Sequence, residues 1–217
     1  MQQQKNIVFL SSSFVNLAKI FAKKNREYDV FLILDRKFPF EMGDDDIDNF
    51  YSFIFEKSKL YEKDKKKYFD NLSVFIHDFE PDLIITNNFT KLLPKEFIDF
   101  FKFRNSKMKL INIHNADLRI LNEKEKKYKG LYGDRKQFLD EEQIVSTIHH
   151  IKDEKMDEGE QIAYSKPTTL EELKLKKLVN NPNEILNLRI KNVIISYHER
   201  TKVLNLLRKV VKKLIKQ

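Results

Sequence analysis

Short apolar runs alternate with amphipathic stretches along the first 165 residues of the chain. The runs are four to seven residues long, which is typical of strands buried on both faces of a sheet. They predict strands at residues 6–10, 28–34, 82–86, 109–114, 145–151 and 161–165. Apolar residues at helical spacing predict helices at 14–23, 47–60, 66–79, 94–101 and 134–142.

This alternation of strands and helices predicts an α/β fold with right-handed crossovers. The expected architecture is a Rossmann-like, mostly parallel twisted sheet with helices on both faces, plus a helical C-terminal extension. We therefore expect one catalytic domain over residues 1–167 and a helical extension over 168–217. The extension is expected to pack on this domain or on a second subunit.

Two polar side chains fall on one face of the predicted strand 109–114. A strand period of two places Asn112 and His114 together, while the isoleucines beside them point to the opposite, apolar face. Open α/β sheets bind ligands at the carboxyl ends of their strands, and a long predicted loop, 115–133, follows this strand. The pair therefore marks a candidate site. The alternative is that Asn112 ends the strand and His114 is a hydrogen-bonded histidine near the surface.

Glycine is rare in this sequence, and three of its four glycines lie between residues 130 and 159. Glycine permits a positive φ or a close backbone approach, so this stretch needs a geometry that other residues resist. Within it, Thr147 and His149 repeat the polar alternation, and Asp157 precedes a turn at Gly159. An Asp-x-Gly sequence by itself indicates only a turn.

In this order and at these separations, the motifs resemble the formyltransferase family that uses 10-formyltetrahydrofolate. That family includes glycinamide ribonucleotide transformylase, methionyl-tRNA formyltransferase and the sugar N-formyltransferases. The similarity covers residues 6–167 and is strongest over 81–165. The matching segments are PDLIITNNFTKLLPKEF at 81–97, INIHNADL at 111–118, YKG at 128–130 and STIHHIKDEKMDEGEQIA at 146–163.

The resemblance implies formyl transfer from 10-formyltetrahydrofolate to an amine, with Asn112, His114 and Asp157 as catalytic residues. An amine that attacks a formyl carbon forms a tetrahedral oxyanion, which needs hydrogen-bond donors, and the amine must lose a proton. Asn112 and a charged His114 would stabilise the oxyanion. Asp157 would favour the charged imidazole and help to move the proton.

The resemblance also implies which residues border the two substrates. The pterin of the co-substrate is expected beside Phe89, Leu92, Leu93, Ile151 and Asp153. The acceptor is expected beside Ser11, Ser12, Ser13 and His149. The two leucines are equally consistent with core packing at a helix start, and His149 with a buried structural histidine. No metal is expected, because no histidine or carboxylate group has ligand spacing.

Two loops depart from the family pattern and bear on the acceptor. Residues 11–16 read SSSFVN, where the purine-synthesis enzyme usually has a glycine-rich loop for the substrate phosphate. Residues 115–119 read NADLR in place of the usual Pro-Ser-Leu-Leu-Pro. An amino sugar carried on a nucleotide is therefore the leading acceptor, and glycinamide ribonucleotide is the second. The non-enzymatic alternative is a relative that binds folate or a nucleotide sugar without transfer.

Charge and composition bear on the partners. The net charge is +8, but residues 191–217 hold eight Lys or Arg and one Glu, so the rest is nearly neutral. We therefore expect a small-molecule amine substrate and no nucleic acid. The apolar stripe of the basic tail favours packing on the domain or in a homodimer over binding to an anionic membrane surface or to RNA. Without cysteine, a signal peptide or a long apolar run, the chain is expected to be cytoplasmic.

Overall fold

A computed structural model describes most of the chain: residues 4–12, 16–35, 47–55, 58–104, 108–123, 125–130, 133–141, 143–152, 155, 157–169, 171–173 and 193–216. Its elements are β1 (Lys5–Ser11), α1 (Asn16–Lys24), β2 (Tyr28–Leu34), β3 (Phe50–Ile54), α2 (Ser58–Lys63), α3 (Lys65–His77), β4 (Leu83–Asn87), α4 (Lys95–Arg104), β5 (Lys109–His114), β6 (Leu121–Asn122), β7 (Glu125–Lys126), α5 (Gly133–Glu141), β8 (Gln143–Ile144), β9 (Thr147–His150), β10 (Gln161–Tyr164), β11 (Thr168–Thr169) and α6 (Leu204–Ile215). Residues 193–198 are also helical and lead through a π-helical turn, Glu199–Val203, into α6. None of the described helices has the length and apolar character that crossing a bilayer requires.

Seven strands form the central sheet in the order β10-β9-β5-β4-β1-β2-β3. The strands from β5 to β3 are parallel, whereas β9 runs antiparallel to β5 and β10 antiparallel to β9. The chain leaves β1 toward β2 and β3, then returns to place β4 and β5 on the other side of β1. This reversal creates a crevice at the carboxyl ends of β1 and β4, where open α/β sheets bind ligands.

Apolar side chains cover both faces of the sheet. On one face, Ile7, Phe9, Ile111 and Ile113 pack with residues of α1 and α6. On the other face, residues of β1, β4 and β5 pack with the aromatic side chains of α3 and α4. The fold is therefore the expected α/β sheet with helices on both faces, and the predicted fold class is confirmed.

Most of the predicted elements are present, but the helix predicted at 47–60 is wrong. Residues 50–54 instead form β3, which pairs in parallel with the free edge of β2. Tyr51 stacks on Phe31 at 5.1 Å between ring centroids, and Phe53 lies 4.9 Å from Phe79. The Gly-Asp-Asp-Asp sequence at 43–46, just before the predicted helix, lies outside the described residues.

The C-terminal helix α6 belongs to the same hydrophobic core as β1. Four apolar side chains of this part of the chain are almost completely buried among residues of β1, β2 and α1: Val203, which precedes the helix, and Leu204, Leu207 and Val211. Arg208 also donates a hydrogen bond of 3.0 Å to Asn25 Oδ1 at the end of α1. The apolar stripe seen in the sequence therefore faces the sheet of its own chain.

Candidate active site

A cleft opens beside the carboxyl ends of β4 and β5. Its empty volume is about 950 Å³, including the part that is open to solvent. Residues 88–93 form one wall, and the described residues between His149 and Gly159 form another. Asn112, His114 and Asp157 all line the cleft, so the structure brings the three predicted catalytic residues together.

Asn112 lies on β5 with its amide orientation fixed by a neighbouring strand. The hydroxyl of Thr86 on β4 donates a hydrogen bond of 2.7 Å to Asn112 Oδ1. The amide oxygen is thus occupied, and the Nδ2 donor points to Asp157 Oδ1 at 3.3 Å and His149 Nε2 at 3.0 Å. Parallel pairing of β4 and β5 places Thr86 opposite Asn112, so the sheet itself holds this donor in the cleft.

His114 ends β5, and one of its two ring nitrogens is already used. Its Nε2 lies 2.7 Å from the carbonyl oxygen of Tyr128, so this nitrogen carries a proton and donates. Its Nδ1 lies 3.4 Å from Asp157 Oδ2 and is the nitrogen left for the reaction. A Cβ at Gly133 would stand 2.1 Å from the Tyr128 oxygen and 2.9 Å from His114 Nε2, so the close approach requires glycine.

Asp157 carries the carboxylate on which the cluster converges. It is buried and has a φ of 58°, a left-handed conformation that Asp tolerates better than most residues. The backbone N–H of Gly130 donates a hydrogen bond of 2.7 Å to its Oδ2, and Lys126 donates to its backbone carbonyl. The turn predicted from Asp-x-Gly is thus also the element that directs this carboxylate toward His114.

The charge state of Asp157 follows from these contacts. Burial by itself would raise the pKa of its carboxyl. The hydrogen bond with His149, the charge on the His114 imidazole and the N–H of Gly130 outweigh burial and lower that pKa to about 2. Asp157 is therefore an anion throughout the neutral range, as a proton acceptor must be.

His149 lies in the middle of the cluster rather than at its rim. Its Nδ1 is 3.1 Å from the carbonyl oxygen of His150, and its Nε2 lies between Asn112 Nδ2 and Asp157 Oδ1, at 3.0 and 3.3 Å. A neutral ring accepts from Asn112 at Nε2, whereas a charged ring donates to Asp157 there. A Cβ atom at Gly159 would lie 1.6 Å from the His150 carbonyl oxygen, so the close approach of these two backbone segments also requires glycine.

The expected pterin-binding residues fall on the walls of the cleft. Phe89, Leu92, Leu93 and Ile151 all line it. Leu93 is buried in the core behind the wall, while Leu92 is 46% exposed, so Leu92 retains apolar surface for a ligand. Asp153 lies outside the described residues.

The serines expected beside the acceptor are placed differently. Ser11 and Ser12 are buried and do not line the cleft. The Ser12 hydroxyl donates to Asp35 Oδ2 at 2.9 Å and accepts from the N–H of Thr90 at 2.9 Å. Its side chain is thus committed within the protein. Ser13 lies outside the described residues.

Sequence reasoning missed a second polar group, which comes from the C-terminal part of the chain. Asn115 Nδ2 donates to Glu199 Oε1 at 3.0 Å, and Asn88 Nδ2 lies 3.4 Å from the same oxygen. Both asparagines line the cleft. Burial, opposed by these two hydrogen bonds, raises the pKa of Glu199. Glu199 is the one acidic residue among residues 191–217. An isolated acid in a basic segment was the sequence feature that could have indicated this contact.

Asp134 adds a second carboxyl group on this side of the cleft. Burial raises its pKa as well. Lys91, Lys152 and Lys155 also line the cleft, on the segments after β4 and β9. Among the described residues, no group of three or more histidine or acidic side chains is arranged to hold a metal ion.

A fixed amide donor, two imidazoles and an anionic carboxylate at the ligand-binding edge of a Rossmann-like sheet equip an α/β enzyme to stabilise an oxyanion and move a proton. The family comparison agrees with this class: the model described as formyl transferase matches residues 4–185. The chain therefore belongs to the formyl transferase family and is an enzyme that transfers formyl groups.

Solved structures share the fold at low sequence identity. The phosphoribosylglycinamide formyltransferase of Bacillus halodurans is 17% identical, with a TM-score of 0.59 over 95% of this chain and 97% of that one. Glycinamide ribonucleotide transformylase 1 of Symbiobacterium toebii is 15% identical, with a TM-score of 0.62 over 93% and 85%. PvdF of pyoverdin biosynthesis, an N10-formyltetrahydrofolate-dependent formyltransferase, is 11% identical, with a TM-score of 0.52 over 94% and 99%. No curated protein matches the chain.

Proposed function

We propose that this enzyme transfers the formyl group of 10-formyltetrahydrofolate to the amine of an amino sugar carried on a nucleotide. The observation that carries the proposal is that Asn112 and His114 meet at Asp157 in one cleft, 3.3 and 3.4 Å from its two carboxylate oxygens. Membership of the formyl transferase family supports the reaction type. The solved N10-formyltetrahydrofolate-dependent relative supports the co-substrate.

In the proposed reaction the acceptor nitrogen attacks the formyl carbon, and the formyl oxygen becomes an oxyanion. Asn112 Nδ2 is the donor that the sheet holds in the cleft, and it stabilises this oxyanion together with the N–H that the charged imidazole of His114 would carry at Nδ1. Asp157, anionic at neutral pH, accepts the proton that the amine loses, directly or through water. Collapse of the intermediate then breaks the bond to the folate nitrogen, which takes up a proton.

The distribution of charge around the cleft supports an orientation for the two substrates. Folates carry an anionic glutamate, which fits the side bordered by Lys152 and Lys155 on the segment after β9. The other side presents Asp134 and the amides of Asn88 and Asn115. Carboxylate and amide oxygens accept hydrogen bonds from hydroxyl and ammonium groups. This side therefore favours a hydroxylated amine such as an amino sugar.

The proposal is tested by measuring release of tetrahydrofolate from 10-formyltetrahydrofolate with candidate amines. The panel contains nucleotide-linked amino sugars and glycinamide ribonucleotide, and mass spectrometry identifies the formylated product. Turnover with an amino-sugar nucleotide supports the full proposal. Turnover with glycinamide ribonucleotide alone keeps the reaction and changes the acceptor. Release of formate at a rate that no amine increases would show that the enzyme hydrolyses 10-formyltetrahydrofolate instead of transferring its formyl group.

A further inference from the structure

One lysine on the wall of the cleft has its charged end buried in the protein. The ammonium of Lys91 forms an ion pair with Asp35, and the two side chains are only 12% and 3% exposed. Three aromatic rings surround it, with Nζ at 5.2 Å from the Tyr61 ring centroid, 5.4 Å from Tyr68 and 5.7 Å from Phe89. Such cation–π contacts are attractive, and they strengthen when the cation is desolvated.

Asp35 follows β2 and connects this lysine to the crevice beside β1. The Ser12 hydroxyl donates to Asp35 Oδ2 at 2.9 Å, and the Asp35 N–H donates to Ser11 O at 3.1 Å. The same Ser12 oxygen accepts hydrogen bonds from the N–H and the hydroxyl of Thr90, at 2.9 and 3.0 Å. The Asp35 carboxylate therefore connects the end of β1 to two consecutive residues of the cleft wall. It contacts Lys91 directly and Thr90 through the Ser12 hydroxyl.

The segment held in this way is the one expected to border the pterin. Residues 88–93 line the cleft from Asn88 to Leu93. A flexible lysine normally keeps its ammonium in water, and withdrawing it from solvent costs free energy unless an opposite charge compensates. Because Asp35 supplies that charge, the backbone from Phe89 to Leu93 is drawn against the sheet before any ligand arrives.

We propose that Asp35 is a positioning residue for the co-substrate: through Lys91 and Ser12 it holds residues 88–93 in the conformation that receives 10-formyltetrahydrofolate. The proposal rests on the co-substrate assigned under the proposed function. Asp35 itself does not line the cleft and need not touch either substrate. Its loss should therefore weaken co-substrate binding without slowing the chemical step, because the catalytic cluster is supported by other contacts.

The test compares Asp35→Asn and the neutral double variant Asp35→Asn/Lys91→Met with wild type. Lys5→Met is the matched control, since it removes the Lys5–Asp82 ion pair, which lies outside the cleft. Each protein is assayed for the KM of both substrates, for kcat, and for the Kd of 5-formyltetrahydrofolate, a non-transferable probe. We expect the KM and Kd for the folates to rise roughly 3- to 30-fold, with kcat and the acceptor KM unchanged.

Folate affinities equal to wild type in a folded variant would overturn the proposal, and so would a fall in kcat at unchanged KM or an equal effect of Lys5→Met. If the two Asp35 variants do not fold, Ser12→Ala decides in the same assays, because it removes the link to Thr90 and leaves the ion pair. Failure of the proposed function is distinguishable, because it would appear in wild type itself as absent turnover.

Discussion

At the scale of single residues, the candidate site depends on side chains whose orientation is fixed by bonds outside the reaction. Thr86 fixes the amide of Asn112, the Tyr128 carbonyl fixes one nitrogen of His114, and the Gly130 N–H fixes the Asp157 carboxylate. Fixed donors stabilise a developing charge without reorganising at the moment of reaction. Loss of one reacting group should therefore affect turnover far more than folding.

We predict that Asn112→Ala and Asp157→Ala each lower kcat about 100- to 1,000-fold, because each removes a group that acts on the oxyanion or the proton. Circular dichroism should show a folded protein in both cases. Asp99→Ala, which removes an exposed carboxylate on α4, is the control and should turn over normally. Turnover near the wild-type rate in either cleft variant contradicts the assignment.

A second prediction concerns Gly133, which lines the cleft beside His114 and has no side chain. Gly133→Ala would place a methyl group against the Tyr128 carbonyl and His114 Nε2, where there is no room for it. Displacing the imidazole by a fraction of an ångström should lower kcat roughly tenfold or more. Steady-state kinetics beside Lys136→Ala, an exposed change on the same helix, provide the measurement. Equal rates in both variants would show that the His114 contact with Tyr128 is dispensable.

The sequence pattern predicted those parts of the site that depend on the geometry of one strand. It missed those that depend on contacts between segments far apart in the sequence. The period of a strand was sufficient to place Asn112 and His114 on one face. The position of His149 between Asn112 and Asp157 follows from the antiparallel register of β5 and β9, which pairs Asn112 with His149. Register between distant strands cannot be derived from spacing along one strand. Glu199 contacts two cleft residues, Asn88 and Asn115, across a still longer separation in the sequence.

At the scale of elements, the central strands were predictable because they are continuous apolar runs, whereas β3 was not. Its residues alternate poorly and fit a helical period as well as a strand. The deciding interaction is the free edge of β2, which offers backbone hydrogen bonds and aromatic partners such as Phe31. Tertiary pairing thus overrode the local pattern.

The element-scale prediction concerns α6, whose apolar side chains complete the core on one face of the sheet. Leu207 is fully buried there, so Leu207→Ala should lower the free energy of unfolding by about 2 to 5 kcal/mol. Urea denaturation gives the measurement, with exposed Asn205→Ala as the control on the same helix. A loss below 1 kcal/mol would mean that α6 contributes little to the stability of the core.

At the scale of the whole molecule, His198 makes stability depend on pH. Burial, with a smaller effect of Lys202, lowers the pKa of His198 to about 4, and its ring bonds to the hydroxyls of Ser146, Ser165 and Thr168. As the pH falls, the unfolded chain protonates this histidine near pH 6.5, whereas the folded chain does so only near pH 4. Stability from the neutral ring is therefore complete above pH 6.5 and is lost as the pH falls toward 4.

We expect acidification from pH 6.5 to 4 to cost up to about 3 kcal/mol through this histidine. His198→Asn keeps a polar side chain that does not titrate, and it should flatten the pH dependence over this interval. Denaturation series at several pH values compare the two proteins. An equal slope in both would assign the acid sensitivity to other groups. Asp157, with a pKa of about 2, loses its own contribution only below about pH 4.

The shared core of β1 and α6 has a consequence for synthesis of the protein. Strand β1 leaves the ribosome about 200 residues before the apolar side chains of α6, which complete the cover that α1 begins. Until then, Ile7 and Phe9 lack the neighbours that α6 supplies on that face. A nascent chain arrested before residue 203 should therefore be more sensitive to protease and bind chaperones more strongly than the same chain extended past residue 214 and clear of the exit tunnel.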